Sequence, residues 1–226
     1  MDCAFVFVIS VSAFIPAKQW PMHKISLLIF AKPPRMGLAK TRLAEGVGPT
    51  QARRIAGFTL ATTLSAARAS GLDAKVYTTP DLLAGGQQGR ALFGGLEVHP
   101  QGAGTLTDRL ERGLRDAQPG MVLFVGSDAP DVSPALLRAA VRGLMRHDAV
   151  FGPAVDGGFW LFGMHKGPKA RSPFRRVRWS GPHAMQDVWS HLPEGARVCL
   201  LPPLIDIDAA PDWESWRLSK RKSHRK

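Results

Sequence analysis

"MVLFVGSDAPD", residues 121–131, decides the architecture. Five apolar residues run unbroken from Met121 to Val125, the pattern of a strand covered on both faces. Small Gly126 and Ser127 then let the backbone turn, which places Asp128 at the edge of a sheet. Downstream, "SPALLRAAVRGLMRH" (133–147) opens with Ser133 and Pro134, an N-cap and first-turn pair for a helix. Upstream, "TLTDRLERGLRDA" (105–117) is an amphipathic helix. A doubly covered strand between two helices is the unit of an α/β protein.

The same alternation continues in both directions. "ISLLIFA" (25–31) reads as a strand and "TQARRIAGFTLATTLSAARASG" (50–71) as a helix. Thr50 is its expected N-cap and Gly71 its end, with Ile55, Phe58, Leu60 and Leu64 as the apolar stripe. "AKVYTTP" (74–80) and "LEVHPQ" (96–101) are strands flanking a short helix near "ALFGG" (91–95). "DAVFGPAVDGGFWLFGM" (148–164) holds two strand-like runs around Asp-Gly-Gly. A helix in "PHAMQDVWSHL" (182–192) and a strand in "ARVCLLPPL" (196–204) lead to "IDIDAAPDWESW" (205–216). The expectation is a three-layer α/β sandwich with a mainly parallel sheet, in one domain over residues 22–216.

The termini stand apart. "CAFVFVISVSAFIPA" (3–17) is apolar, but it is shorter than the roughly 20 residues of a spanning helix. Asp2 stands where a signal peptide carries positive charge. Met22, directly before the first strand, suggests an alternative start, so residues 1–21 are set aside as an extension. The net charge is +12, and six Lys or Arg fall within "RLSKRKSHRK" (217–226), read as a frayed basic tail. A second basic run, "KGPKARSPFRRVR", spans 166–178. Neither has zinc-finger spacing or aromatic RNA-binding signatures, which argues against a nucleic-acid partner. The two cysteines, Cys3 and Cys199, build no disulfide framework and fit a reducing cytoplasm. The seven histidines lack HExxH spacing, which argues against zinc.

Three polar segments follow strands, and ligands of open α/β sheets gather beyond strand carboxyl ends. The first, "FAKPPRMGLAKTRLA" (30–44), concentrates Lys32, Arg35, Lys40 and Arg42. A Walker loop before Lys40 and Thr41 needs glycine where Pro34 and Ala39 stand. What remains open is a solvated surface loop or a looser phosphate cradle, with Gly37 allowing close backbone approach. The second, "GSDAPD" (126–131), offers Asp128 as a metal ligand, while Asp131 also reads as an opener of the following helix. The third places Asp206 and Asp208 on one side of an extended segment. Two such carboxylates repel unless a cation lies between them, and Asp208 is alternatively a cap for the next helix. Asp156, Gly157 and Gly158 read as a turn or as an acceptor wall, with Phe159 or Trp160 as a flat face. Trp179 and Ser180 are candidates to line the same cavity.

Taken in order, "FAKPPRMGLAKTRLA", "QGAGTLTDRL", "GSDAPDVSPALL", "GPAVDGGFWLFG", "VRWS" and "LPPLIDIDAAPDW" resemble one bacterial family across roughly residues 24–215. It comprises glycosyltransferase-like proteins with a type-A (GT-A) nucleotide-binding fold, often labelled radical-SAM/selenodomain-associated transferase 1. It is similar to phospholactate guanylyltransferase. The resemblance implies a transferase that takes a nucleotide or nucleotide-sugar donor, a small-molecule acceptor, and Mg²⁺ or Mn²⁺. It also implies that Lys32, Arg35, Gly37, Lys40, Thr41 and Arg42 meet phosphates and that Asp128, Asp206 and Asp208 hold the metal. Lys40 and Asp128 would then be the catalytic pair, and Asp156, Gly157, Gly158, Trp179 and Ser180 would border the acceptor. Thr105, Thr107 and Gly181 depart from the family pattern.

Overall fold

A computed structural model describes residues 24–37, 40–84, 86–168 and 170–223, so the extension at 1–21 lies outside the described residues. The strands are β1 (Ile25–Ala31), β2 (Asp73–Thr78), β3 (Glu97–Pro100), β4 (Gly120–Gly126), β5 (Ala149–Pro153), β6 (Phe159–Lys166) and β7 (Val198–Leu200). They form one seven-stranded sheet in the order β3-β2-β1-β4-β6-β5-β7. β1 lies parallel to both β2 and β4, and β2 is parallel to β3. β6 runs antiparallel to both its neighbours, β4 and β5, and β7 is parallel to β5. The short connection through the Asp-Gly-Gly turn forces that reversal, because a parallel neighbour needs a long crossover. β1, β4, β5 and β7 consequently all point their carboxyl ends to one edge.

Seven α-helices and a short 3₁₀ helix (Asp81–Leu83) complete the described residues: α1 (Thr41–Val47), α2 (Pro49–Ser70), α3 (Gln87–Leu92), α4 (Leu106–Asp116), α5 (Pro134–Leu144), α6 (Ala184–Ser190) and α7 (Ala210–Ser223). The strands sort their side chains with period two. Leu27, Ile29, Leu123 and Val125 pack with Leu60 and Leu64 of α2 and Leu137 and Leu144 of α5. Leu28, Val122 and Phe124 face the opposite layer, with Leu110 and Leu114 of α4 and Val188 of α6. This is the expected three-layer sandwich. Among the described residues, no helix is long and apolar enough to cross a membrane.

Ser133 caps α5 as expected, its hydroxyl accepting from the Leu136 amide at 3.2 Å. Gly71 ends α2 in the left-handed region. Four local expectations change. Gly48, not Thr50, is the N-cap of α2, because Pro49 is pre-set for the first turn and leaves Thr50 inside it. Residues 41–44, read as the end of the basic loop, open α1, which runs to Val47. β7 is only three residues long, since Pro202 and Pro203 have no N–H to extend its pairing. The segment read as a frayed tail continues α7 to Ser223. In α7, Trp213 and Trp216 stack at 5.2 Å, and Arg217 and Lys220 lie over their rings at 6.0 and 5.7 Å.

Candidate active site at the carboxyl edge of the sheet

Asp128 sits two residues beyond β4. After β7 the chain continues alongside β5 in the same direction, with the Leu201 and Leu204 amides donating to the carbonyls of Phe151 and Pro153. It then reaches Asp128, whose carbonyl accepts from the Ile207 amide at 3.1 Å. Ile207 is fully buried among Leu43, Ala52 and Ile55. With its middle residue plugged into that cluster, "DID" sends Asp206 and Asp208 the other way, toward Asp128. One oxygen from each of the three carboxylates lies within 4.8 Å of the others.

Lys40 enters this cluster from the basic loop. Its Nζ lies 2.7 Å from Asp128 Oδ1 and 3.0 Å from Asp208 Oδ1, and it donates to the Ile207 carbonyl. The lysine side chain is 6% exposed, against 37% for Asp128 and 35% for Asp208. Its backbone is left-handed, with φ 58°, at the junction of loop and α1. Burial pushes the ammonium toward losing its proton, but the charges of Asp128, Asp208 and Asp206 outweigh it, and the pKa ends above the ordinary lysine value. Asp206 is half-buried at its surface yet enclosed on most sides. Burial first, then repulsion from Asp128, raises its carboxyl well above the usual range, and Lys40 offsets only part of this. Arg42 reaches Asp208 from the exposed side, Nη2 to Oδ2 at 2.7 Å.

Three carboxyl groups, with Lys40 and Arg42 as their cations, bring several hard oxygen donors close together. That donor set fits Mg²⁺ or Mn²⁺. Lys32, Arg35 and Gly37 are exposed, Gly37 with φ 75°, and Thr41 is the exposed first residue of α1. Among the described residues Lys32 and Arg35 make no ion pair, so their charge stays available at the rim.

The structure also brings together the Asp-Gly-Gly turn and the segment around Trp179, the two stretches read as acceptor walls. The Asp156 carboxylate accepts from the Gly158 amide at 2.9 Å, closing the turn, and it adds to the negative field on Asp206. Gly157 lies against Pro182, and its carbonyl accepts from the Met185 amide. Trp179, half-buried, packs near Phe159, and its indole N–H donates to Thr107 Oγ1 at 2.8 Å. Ser180 is exposed with φ 63°. Trp160 offers no flat face beside these segments: it is 1% exposed, its ring fills the space above Gly152, and its N–H is satisfied by the Pro202 carbonyl.

Asp208 does not cap α7. Asp212 does, accepting from the Asp208 and Ala209 amides at 3.0 and 2.7 Å, which frees the Asp208 carboxylate for the cluster. Its place within the first turn of a helix is the signal that identifies it. Thr105 forms a capping box with Asp108 at the start of α4, so the first departure from the family pattern is structural. Asp131 is ion-paired to Lys220 of α7 at 2.6 Å. Buried Gln101 was not anticipated. It donates to the Tyr77 carbonyl at 2.8 Å and ties β3 to β2 at the same edge.

Solved structures share this architecture. A candidate nucleotide-diphospho-sugar transferase from Desulfovibrio desulfuricans G20 matches 86% of this chain and 87% of its own, at 26% identity and TM-score 0.74. A Methanothermobacter nucleotidyl transferase covers 88% of this chain and 99% of its own, at 19% identity and TM-score 0.58. The 4-diphosphocytidyl-2C-methyl-D-erythritol synthase of Anaerococcus prevotii DSM 20548 covers 84% and 94%, at 13% identity and TM-score 0.56. At such identities the last two show the fold alone. No curated protein matches the sequence. Residues 61–181 match the model of DUF2064, described as an uncharacterized protein conserved in bacteria, and the chain belongs to that family.

Proposed function

We propose that this protein is a metal-dependent transferase that uses a nucleotide-activated donor, most simply a nucleotide sugar. One observation carries the reading: three carboxylates from two separate segments converge at a strand edge beside a loop of exposed cations. Supporting it are the fold, the match to the D. desulfuricans protein, and the resemblance to the GT-A family of transferase 1 type. Asp128, Asp206 and Asp208 would hold Mg²⁺ or Mn²⁺. Bound there, the ion would supply positive charge at the donor's phosphates as the leaving group departs. Lys32, Arg35 and Arg42 bind phosphate oxygens from the rim, and the backbone around Gly37 allows their close approach. The Asp156–Gly158 turn and Trp179 flank the acceptor and limit the water that reaches the reacting centre. Catalysis of this kind rests on positioning and preorganised charge.

A second reading is nucleotidyl transfer, in which an acceptor oxygen attacks the α-phosphate in line and pyrophosphate leaves. What favours it is the number of cations at the rim, more than a diphosphate needs. One experiment separates the two. Nucleoside triphosphates and nucleotide sugars are screened for Mn²⁺-dependent thermal stabilisation, and the product released from the stabilising donor is identified. Nucleoside diphosphate supports glycosyl transfer, and pyrophosphate supports nucleotidyl transfer. Asp128→Asn should erase the Mn²⁺-dependent part of the shift; a full shift in this variant overturns the metal site.

A further inference from the structure

We propose that the Lys40 ammonium is a resident counterion which a divalent cation must displace, so that metal and the donor's phosphates bind cooperatively. This rests on the metal site proposed above. Lys40 Nζ already lies within hydrogen-bond distance of Asp128 Oδ1 and Asp208 Oδ1, two of the three carboxylates in the cluster. A divalent ion would coordinate oxygens of these same carboxylates at about 2.0–2.6 Å. It would then stand within a few ångströms of a buried ammonium, and two cations in one poorly hydrated hole repel strongly. Coordination therefore requires the lysine to withdraw.

The local geometry allows withdrawal without unfolding. Lys40 is the N-cap of α1 and lies outside its helical turns. Its side chain is a flexible four-carbon stem bearing a compact charge. Asp208 belongs to a segment fixed by Ile207, whose side chain is fully buried and whose amide donates to the carbonyl of Asp128, the other carboxylate. The lysine is thus the movable partner and the acids are the fixed ones. Once displaced, Lys40 has three donors and needs an anion. Lys32, Arg35 and Arg42 cannot serve, but phosphate oxygens arriving at the same rim can. Metal binding alone leaves the ammonium without that partner, whereas metal with phosphate supplies it. The coupling is reciprocal, and each ligand tightens the other by one common factor.

The test uses Mn²⁺ and inorganic pyrophosphate, which makes it independent of the unidentified base and sugar. Mn²⁺ binding to the full chain is measured by calorimetry, corrected for the Mn²⁺–pyrophosphate complex in solution. Wild type should bind Mn²⁺ weakly alone and on the order of tenfold more tightly with pyrophosphate. Lys40→Met should bind Mn²⁺ alone about tenfold more tightly than wild type and show little further gain with pyrophosphate. Equal affinity of the two chains for Mn²⁺ alone, with an intact pyrophosphate effect in the variant, overturns the displacement. If neither chain binds Mn²⁺ under any condition, the metal site itself fails, which is a different result. Should Lys40→Met fold poorly, ¹⁵N-lysine spectra of wild type decide. The shielded Lys40 Nζ signal should shift when Mg²⁺ and pyrophosphate are added together, and an unmoved signal overturns the proposal.

Discussion

Gly157 shows how tightly single residues define the turn between β5 and β6. Its φ of 89° lies where side-chain-bearing residues are strained, and an added Cβ would stand 2.4 Å from the Pro182 carbonyl oxygen. Neither obstacle yields cheaply, because both are backbone. Gly157→Ala should cost about 1–3 kcal/mol in urea unfolding. Gly181→Ala, directly before Pro182, meets no heavy atom within 4 Å and should be nearly neutral. Equal losses would mean that the turn does not depend on its approach to Pro182. At this scale the acidic residues were legible, because alternation alone puts Asp206 and Asp208 on one side of Ile207. The partner of Lys40 was not. Counted with its neighbours it looks like one of four rim cations, and no spacing rule reveals a contact with Asp208 across 168 positions. Trp160 misled for a related reason: sequence does not say which side of a two-layered strand an aromatic ring will fill.

Among the elements, the segment linking β6 to α6 is tied to α6 by a fork. The Arg178 guanidinium donates from Nε and Nη2 to Asp187 at 2.9 and 2.7 Å, and the Arg178 backbone amide donates to the same carboxylate. Arg176 and Ser180, on either side, both have positive φ, a conformation that a loosely tied loop would not keep. The hydrogen bonds from the Arg178 side chain first, then from its backbone, hold the Asp187 carboxyl well below the usual carboxylate range. Its folded pKa lies below the unfolded one. The stabilisation is therefore fully present above pH of about 4 and is lost as pH falls from there toward the folded pKa. Asp187→Asn should lower Tm at neutral pH, and the gap to wild type should narrow steadily below about pH 4. Thermal unfolding across that range checks it; a gap that widens in acid contradicts the assignment. Strand and helix order was readable from run length and period, because each layer must cover an apolar face. The extent of α7 was not, since its clustered cations resemble a solvated tail. What carries the helix is the placement of Arg217 and Lys220 four residues after Trp213 and Trp216, where charge lies over stacked rings.

Over the whole molecule, topology turns separate polar segments into one site. β1, β4 and β7 all run the same way, so the basic loop, Asp128 and "DID" emerge together. That convergence was legible from the strand-then-polar order alone. The distribution of charge poses the opposing possibility, that a basic protein simply docks on polyanions. The two accounts place their essential cations differently. A transferase needs the rim cations near Asp128, whereas a polyanion binder would use the end of α7 and the residues beyond. A chain ending at Lys220 keeps the Trp216 contact and the Asp131 ion pair while losing Arg221, Lys222, Arg225 and Lys226. Its elution from heparin should shift to lower salt, because each lost cation releases fewer counterions on binding. Its Mn²⁺-dependent stabilisation by nucleotide should stay within about threefold of wild type in ligand concentration, since surface charges beyond the roughly 8 Å screening length contribute little. If nucleotide stabilisation disappears with those residues instead, the basic end of α7 is part of the ligand site, and the charge at its tip has a role that reaches the carboxylate edge.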